Sequence, residues 1–188
     1  MKKLLFTVFI GIGAAIPAQI STLVINNYTN YYLLARFGAN GLNGNCYPGI
    51  GSNPSPGQGT YTVPPAISPG VTPFNVQYDK YYYSNLASIP IVEWYVQTNP
   101  TIPGGNRPYN HASLNPTGVI ANNTDWSFIW LQSRDAPVNG NYYDDFNLGS
   151  PSNNCNGTTS TYQLGTYSEA EWFTISIAGT NYTYVQIY

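Results

Sequence analysis

The feature of this sequence that most constrains its fold is the frequent interruption of the chain by proline and glycine. The 188 residues include 15 prolines and 18 glycines, and both residue types break helices and strand ladders. The runs between them are short, rich in β-branched and aromatic residues, and almost without helical periodicity. The sequence therefore predicts strands at residues 22–25, 31–37, 59–63, 74–83, 91–98, 118–120, 127–132, 161–164, 171–177 and 182–188.

About ten short strands separated by turn signals indicate an all-β fold. We predict a two-sheet antiparallel β-sandwich, of jelly-roll or Ig-like type, with a small β-barrel as the alternative. Helix is expected to be limited to about one turn, near residues 84–88 or 167–170. Residues 100–108 and 141–147 are predicted to be loops.

The first 18 residues have the pattern of a secretory signal peptide. Two lysines follow the initial Met1, residues 4–16 are apolar and uncharged, and small Ala18 precedes a polar residue. This order predicts cleavage after Ala18, and the apolar run is shorter than the ~20 residues that a membrane-spanning helix needs. We therefore expect a signal peptide at 1–18, a single domain at 19–188, no transmembrane helix, and a secreted, extracellular or cell-surface protein.

The low charge of the chain limits its partners. Charged residues make up 7% of the sequence, against about 25% in ordinary soluble domains. Four scattered cations remain outside the predicted leader, so no basic patch can bind a phosphate backbone. Nucleic acid is therefore excluded as a partner, and the surface is expected to be neutral and rich in amides and hydroxyls.

Two cysteines, Cys46 and Cys155, are present in the whole chain. An even number of cysteines in an exported protein predicts a disulfide rather than a metal site. A zinc site would need more soft ligands than the sequence offers. We expect no cofactor, apart from a weak possibility of calcium.

Three tryptophans directly follow an acid, in the pairs Glu93–Trp94, Asp125–Trp126 and Glu171–Trp172. Paired carboxylates beside aromatic residues are typical of glycoside hydrolases. However, neighbours on a strand point to opposite faces of the sheet. Trp94 alternates with valines and is expected in the core, whereas Trp172 shares its strand face with polar residues and is the better candidate for an exposed contact.

The aromatic residues Trp126, Phe128 and Trp130 alternate along one predicted strand, so they are expected to share one face. That face is either part of the core or an exposed aromatic stripe suited to sugar rings or a membrane surface. Two further candidates, Asp144 and Asp145, lie in the acidic segment 141–147. Its oxygen ligands suit calcium, but the spacing is not that of an EF-hand, and an ordinary solvated turn is the alternative.

These observations favour a non-catalytic extracellular domain that binds a neutral glycan or cell-surface polymer. The candidate ligand-binding residues are Trp172, Trp126, Trp130, Asp144 and Asp145, and no catalytic set is recognised around the single histidine. One alternative is a structural subunit of a surface fibre or matrix, self-associating through the C-terminal strand at 182–188 as a free edge. A membrane-active toxin-like protein and a glycoside hydrolase are the others.

Overall fold

The computed structural model describes residues 21–52 and 60–188. Within them the chain forms two β-sheets packed face to face, with one short helix, α1 (Val119–Asn122), and one 3-10 turn at Ser84–Leu86. The predicted all-β sandwich is confirmed, and the described strands do not close into a barrel. The predicted signal peptide lies outside the described residues. None of the described helices is long and apolar enough to cross a membrane.

The first sheet, sheet A, contains five of the described strands. Strands β1 (Ser21–Asn27) and β12 (Thr180–Ile187) pair in parallel, and the other neighbours are antiparallel. In spatial order the strands are β10 (Tyr162–Leu164), β11 (Glu169–Ile177), β12 (Thr180–Ile187), β1 (Ser21–Asn27) and β5 (Phe74–Asp79).

The second sheet, sheet B, contains seven described strands, all antiparallel. Strand β4 (Tyr61–Val63) pairs with β2 (Tyr32–Gly41) beside the main path of the sheet. The other six, in spatial order, are β7 (Gly105–Pro108), β6 (Glu93–Gln97), β3 (Gly49–Ser52), β2 (Tyr32–Gly41), β8 (Thr124–Arg134) and β9 (Tyr142–Gly149).

The core fills the space between the inward faces of the two sheets. Sheet A contributes aliphatic residues such as Leu23 and Val185, which are fully buried. Sheet B contributes Phe37, whose ring contacts those of Trp94 and Trp126 at centroid distances of 6.2 and 6.1 Å. Each large apolar side chain buried in this way contributes about 1.5–3 kcal/mol, so alternating strands suffice to hold the sheets together.

Most predicted strands are present, but three predictions of local structure are wrong. Residues 118–120 begin helix α1 rather than a strand, and the predicted loops at 100–108 and 141–147 contain strands β7 and β9. Strand β3 was not predicted, because its glycine-rich sequence lacks a strand pattern. The expected helical turn near 84–88 is present as the 3-10 turn at Ser84–Leu86, whereas Glu169 in the alternative segment 167–170 begins β11.

The C-terminal strand is confirmed as β12, but its predicted role as a free edge is wrong. Strand β12 pairs along its length with β11 on one side, and from Asn181 to Ile187 with β1 on the other. A strand paired on both sides offers no free backbone groups for strand addition. An open edge in this half of sheet A therefore belongs to a strand other than β12.

A β-bulge in β8 changes which side chains face the core. Gly38 pairs with Phe128 and Ala39 pairs with Trp126, so Ser127 is the extra residue. Beyond an extra residue the alternation of faces reverses. A Cβ atom on Gly38 would lie 2.0 Å from the carbonyl oxygen of Ile50, so the close approach of β3 to the bulge requires glycine at this position.

Candidate functional site

A cleft of about 820 Å³ opens at one side of the sandwich. One wall is formed by the end of β2 and the residues after it (40–44) and by the loop at 150–153, and the other by β10, β11 and the start of β12. Asp125 and Trp126, at the start of β8, lie between the two walls. The cleft therefore combines segments that are far apart in sequence and meet only because the two sheets pack together.

The predicted disulfide holds one wall of this cleft. Cys46 and Cys155 are bonded, with their Cα atoms 5.1 Å apart, and they join the loop after β2 to the loop after β9. Asn40 reinforces the junction: its Nδ2 donates to the carbonyl oxygen of Cys46 at 3.0 Å, and its Oδ1 accepts from Ser127 Oγ at 2.6 Å. Asn153 Nδ2 also donates to the carbonyl oxygen of Gly41 at 3.2 Å. The two loops thus form one connected wall.

The aromatic residues of the cleft differ in accessibility. Trp126 and Trp172 each expose only 3% of their surface, and the Trp126 indole donates to the carbonyl oxygen of Ser21 at 3.2 Å. Tyr162 is 52% exposed, and Phe173 is half-buried. The aromatic surface open to a ligand therefore belongs to Tyr162 and in part to Phe173, and the two tryptophans are almost completely buried.

The cleft runs along the edge of β11 rather than across one face of sheet A. Four consecutive residues of the strand, 171–174, line it. Since successive side chains point to opposite faces, a cleft on one face would be lined by alternate residues only. Strand β10 pairs with β11 only as far as Glu171, and the cleft follows the edge beyond that point.

The carboxylate of Asp125 joins three strands beside the cleft. It accepts hydrogen bonds from the hydroxyl of Ser21, from the backbone N–H of Trp126 at 2.8 Å, and from the amide of Asn181 at 3.5 Å. Nearby, the buried ammonium of Lys80 donates to the carbonyl oxygen of Thr124. Burial lowers the pKa of Lys80 to about 8, although the charge of Asp125 acts in the opposite direction.

The charges that line the cleft all have one sign. Among the described lining residues, Asp125 and Glu171 are acids and none is Lys or Arg. The remaining polar groups are amides and hydroxyls, including those of Asn43, Asn153 and Thr174. Such groups both donate and accept hydrogen bonds, so the cleft suits a ligand that is rich in hydroxyls and not anionic.

The prediction that Trp172 is exposed is wrong. Trp172 faces inward, whereas Phe173, Ile175 and Ile177 lie on the outer face of the sheet. On that face the ring of Phe173 stacks on that of Tyr184 in the neighbouring strand, with centroids 5.2 Å apart, and Ile175 and Ile177 are exposed. Trp172 does line the cleft, but from beneath.

The prediction that Trp126, Phe128 and Trp130 share one face is also wrong. Because of the bulge at Ser127, Trp126 points into the core, whereas Phe128 and Trp130 lie half-buried on the outer face of sheet B. The three residues therefore form neither a core face nor an exposed stripe, because Trp126 lies in the core and Phe128 and Trp130 lie outside it. Trp130 lies outside the cleft, opposite Arg36 on β2.

The two acids of the predicted loop lie on opposite faces of strand β9. Asp144 is buried and accepts hydrogen bonds from the backbone N–H groups of Thr166 and Tyr167 at 2.7 and 3.0 Å, and from the hydroxyl of Ser168 at 2.8 Å. Burial acts to raise the pKa of Asp144, but these hydrogen bonds hold it below its ordinary value. Asp144 therefore stabilises the turn between β10 and β11.

Asp145 points away from Asp144 and is exposed. It accepts hydrogen bonds from the hydroxyl of Tyr142 at 2.8 Å and from the amide of Gln132 at 3.3 Å. Since the two carboxylates diverge, they do not form a joint site. Within residues 21–52 and 60–188, no group of three or more His, Cys, Asp or Glu side chains is placed to hold a metal ion.

Several residues of the cleft were not predicted, among them Asn40, Asn153 and Tyr162. One signal could have indicated the first two: both lie within six residues of a cysteine, and a predicted disulfide brings the flanking loops together. Of the predicted residues, the structure brings Trp126 and Trp172 to the cleft and leaves Trp130, Asp144 and Asp145 outside it. Comparisons of the chain with protein-family models, curated proteins and solved structures give no match.

Proposed function

We propose that the protein is a non-catalytic extracellular binding module that holds a neutral glycan or a similar hydroxyl-rich cell-surface polymer in the cleft along β11. The observation that carries this proposal is the set of exposed side chains that line the cleft: the ring of Tyr162, the amide of Asn43 and the hydroxyl of Ser152. Amides match sugar hydroxyls because they donate and accept hydrogen bonds. An aromatic ring gives an apolar surface on which a sugar ring can stack.

The charge of the cleft supports a neutral ligand. Glu171 can accept hydrogen bonds from hydroxyl groups, and no cation lies among the described lining residues of the cleft. An anionic polysaccharide would therefore be repelled.

The geometry favours binding over hydrolysis. A glycoside hydrolase needs two carboxyl groups that face the scissile bond from either side. The Asp125 carboxylate is engaged by three donors of the protein itself, so its role is to tie β1, β8 and β12 together. The third acid of the predicted pairs, Glu93, lies outside the cleft and accepts a hydrogen bond from Asn106 at 3.3 Å.

The test is titration of the oxidised protein, without its predicted leader, with soluble neutral oligosaccharides from glucans, xylans and mannans. Trp126 and Trp172 both line the cleft, so tryptophan fluorescence reports binding, and calorimetry gives the affinity. Tyr162→Ala should weaken binding by about tenfold, because it removes the exposed aromatic surface.

Tyr142→Ala is the matched control. Tyr142 is also 52% exposed, and its hydroxyl donates to a neighbouring acid, as that of Tyr162 does. However, Tyr142 lies outside the cleft, so its loss should leave the affinity unchanged. The proposal fails if no neutral glycan gives saturable binding, or if the two variants bind equally well.

A further inference from the structure

The last five residues of β11 have a paired edge and an open edge. On one side they pair with β12 as far as Ile177 opposite Thr180. On the other side β10 ends its pairing at Glu171, and the last backbone hydrogen bond runs from the N–H of Trp172 to the carbonyl oxygen of Thr161, at 2.8 Å. Beyond Trp172 the described chain provides no backbone partner on this side.

The backbone groups that point to the open edge belong to Thr174 and Ser176. In an antiparallel ladder the N–H and C=O of one residue point to the same side, and the next residue points to the other. Because Trp172 uses the β10 side, Thr174 and Ser176 do so too. Both residues are exposed, and their hydroxyl groups bond to Thr183 and Asn181 of β12. Two N–H and two C=O groups thus remain available.

We propose that this edge pairs with the same edge of a second copy of the chain, antiparallel, about a two-fold axis at Ile175. Such pairing sets Thr174 opposite the partner's Ser176, and Ser176 opposite the partner's Thr174. Each of these two pairs exchanges two backbone hydrogen bonds, so four bonds join the copies. Sheet A then continues from one copy into the other, and the two-fold axis closes the assembly as a dimer.

In this register, the apolar side chains on the outer face of one copy lie opposite apolar side chains of the second copy. Ile175 lies opposite the partner's Ile175, and Phe173 lies opposite the partner's Ile177. In one copy Ile175 and Ile177 are 40% and 55% exposed, so pairing covers apolar surface that the monomer leaves in water. Residues 172–184 contain no charged side chain, so no like charges oppose each other across the axis.

The open edge of β11 is also as long as the segment of the second copy that would pair with it, which ends at the β11–β12 turn. In this register Trp172 lies opposite the partner's residue 178, where the chain leaves the strand. The turn at Ala178 and Gly179 has φ values of 50° and 82°, as a tight hairpin requires. The partner's strand therefore ends at the point where Thr161 already occupies the edge. An unrelated peptide would not have this limit, so the match favours a second copy.

The sharpest test uses single cysteines. Ile175 forms a non-hydrogen-bonded pair with its symmetry mate, in which Cα atoms lie about 4.5 Å apart, within the range of a disulfide. Ile175→Cys should therefore form an intermolecular disulfide in a glutathione redox buffer. In the control Ile177→Cys, the two cysteines would be four residues out of register, about 13 Å apart. At least tenfold more dimer is expected from the first variant, and equal or absent cross-linking overturns the proposal.

Sedimentation velocity tests the same edge without cysteines. Ser176→Pro removes the N–H that points to the open side and leaves the ladder with β12 intact, a position where strands tolerate proline. Ser176→Ala keeps the N–H and is the control. The wild type and Ser176→Ala should sediment faster as concentration rises from about 10 µM to 1 mM, as expected for a small interface, while Ser176→Pro stays monomeric. A wild type that remains monomeric, or a proline variant that associates equally, overturns the proposal.

Discussion

Replacing Lys80 by methionine should stabilise the protein at neutral pH. The Lys80 ammonium is almost completely buried and donates to the carbonyl oxygen of Thr124. Its pKa is lowered from 10.5 to about 8, and at 1.36 kcal/mol per pKa unit this difference corresponds to about 3.4 kcal/mol at neutral pH. Methionine keeps the aliphatic stem but leaves the carbonyl without its donor, at a cost of about 1 kcal/mol. The expected net gain is about 2 kcal/mol.

The pH dependence of the free energy of unfolding distinguishes the loss of a buried charge from improved packing as the cause of the gain. Between pH 8 and 10.5 the unfolded chain holds the Lys80 proton more tightly than the folded chain, so the free energy of unfolding rises with pH. For the wild type, Lys80 alone should add about 2 kcal/mol between pH 7 and pH 9.5. The variant lacks this contribution.

Buried tyrosines set the upper limit of this pH window. Burial, with a smaller contribution from Glu93, raises the pKa of Tyr61 to about 12, and burial also raises the pKa values of Tyr78 and Tyr81. In the unfolded chain these hydroxyls ionise near pH 10. The free energy of unfolding should therefore fall above that pH in the wild type and in the variant alike.

The assay is urea unfolding followed by tryptophan fluorescence at several pH values from 7 to 9.5. The difference in stability between Lys80→Met and wild type should shrink by about 2 kcal/mol across this range. Arg36→Met, which removes an exposed cation, is the control and should show no such convergence. Parallel pH profiles for Lys80→Met and wild type would refute the argument that a buried charge is responsible.

Two further substitutions test the contacts beside the cleft. Asp144→Asn should lower the free energy of unfolding by about 2–3 kcal/mol at pH 7, because the charge-assisted hydrogen bonds of the turn are lost. The deficit should vanish in acid as the wild-type carboxylate is protonated, whereas Asp145→Asn should change stability by less than about 0.5 kcal/mol. Replacing Cys46 and Cys155 by serine opens a loop with a sequence separation of 109 and should reduce stability by about 4–5 kcal/mol in urea unfolding. Unchanged stability of either variant would contradict the role assigned to its contact.

The architecture could be predicted from the alternation of residues along each strand, and the disulfide could be predicted from the number of cysteines. Strands such as β1 and β12 alternate in the ordinary way, and Thr183, Val185 and Ile187 are buried as that alternation requires. Two cysteines in a chain with a leader-like start leave one pairing. These signals need no knowledge of how distant segments meet.

The errors arose where a contact between distant segments decides the outcome. The bulge at Ser127 lies where β3 approaches Gly38 closely, and the sequence of β8 itself does not indicate it. The alternating apolar residues of β11 have the pattern of a core face, yet Phe173 stacks on Tyr184 of the next strand and Ile175 and Ile177 are exposed. The sequence around Asp144 has the pattern of a solvated loop, because the groups that donate hydrogen bonds to its carboxylate belong to a turn more than 20 residues later.

The proposed ligand and the proposed second copy would share part of one surface. Phe173 and Thr174 line the cleft and also belong to the open edge of β11. If pairing covers them, the ligand must bind the monomer more tightly than the dimer, and by linkage it weakens pairing by the same factor. The disulfide-linked dimer of Ile175→Cys should therefore bind a neutral glycan at least about fivefold more weakly than monomeric Ile175→Ser, in which the Cys46–Cys155 bond is intact. Equal affinity would mean that the glycan lies towards the 40–44 loop, away from the edge, and that the two activities are independent.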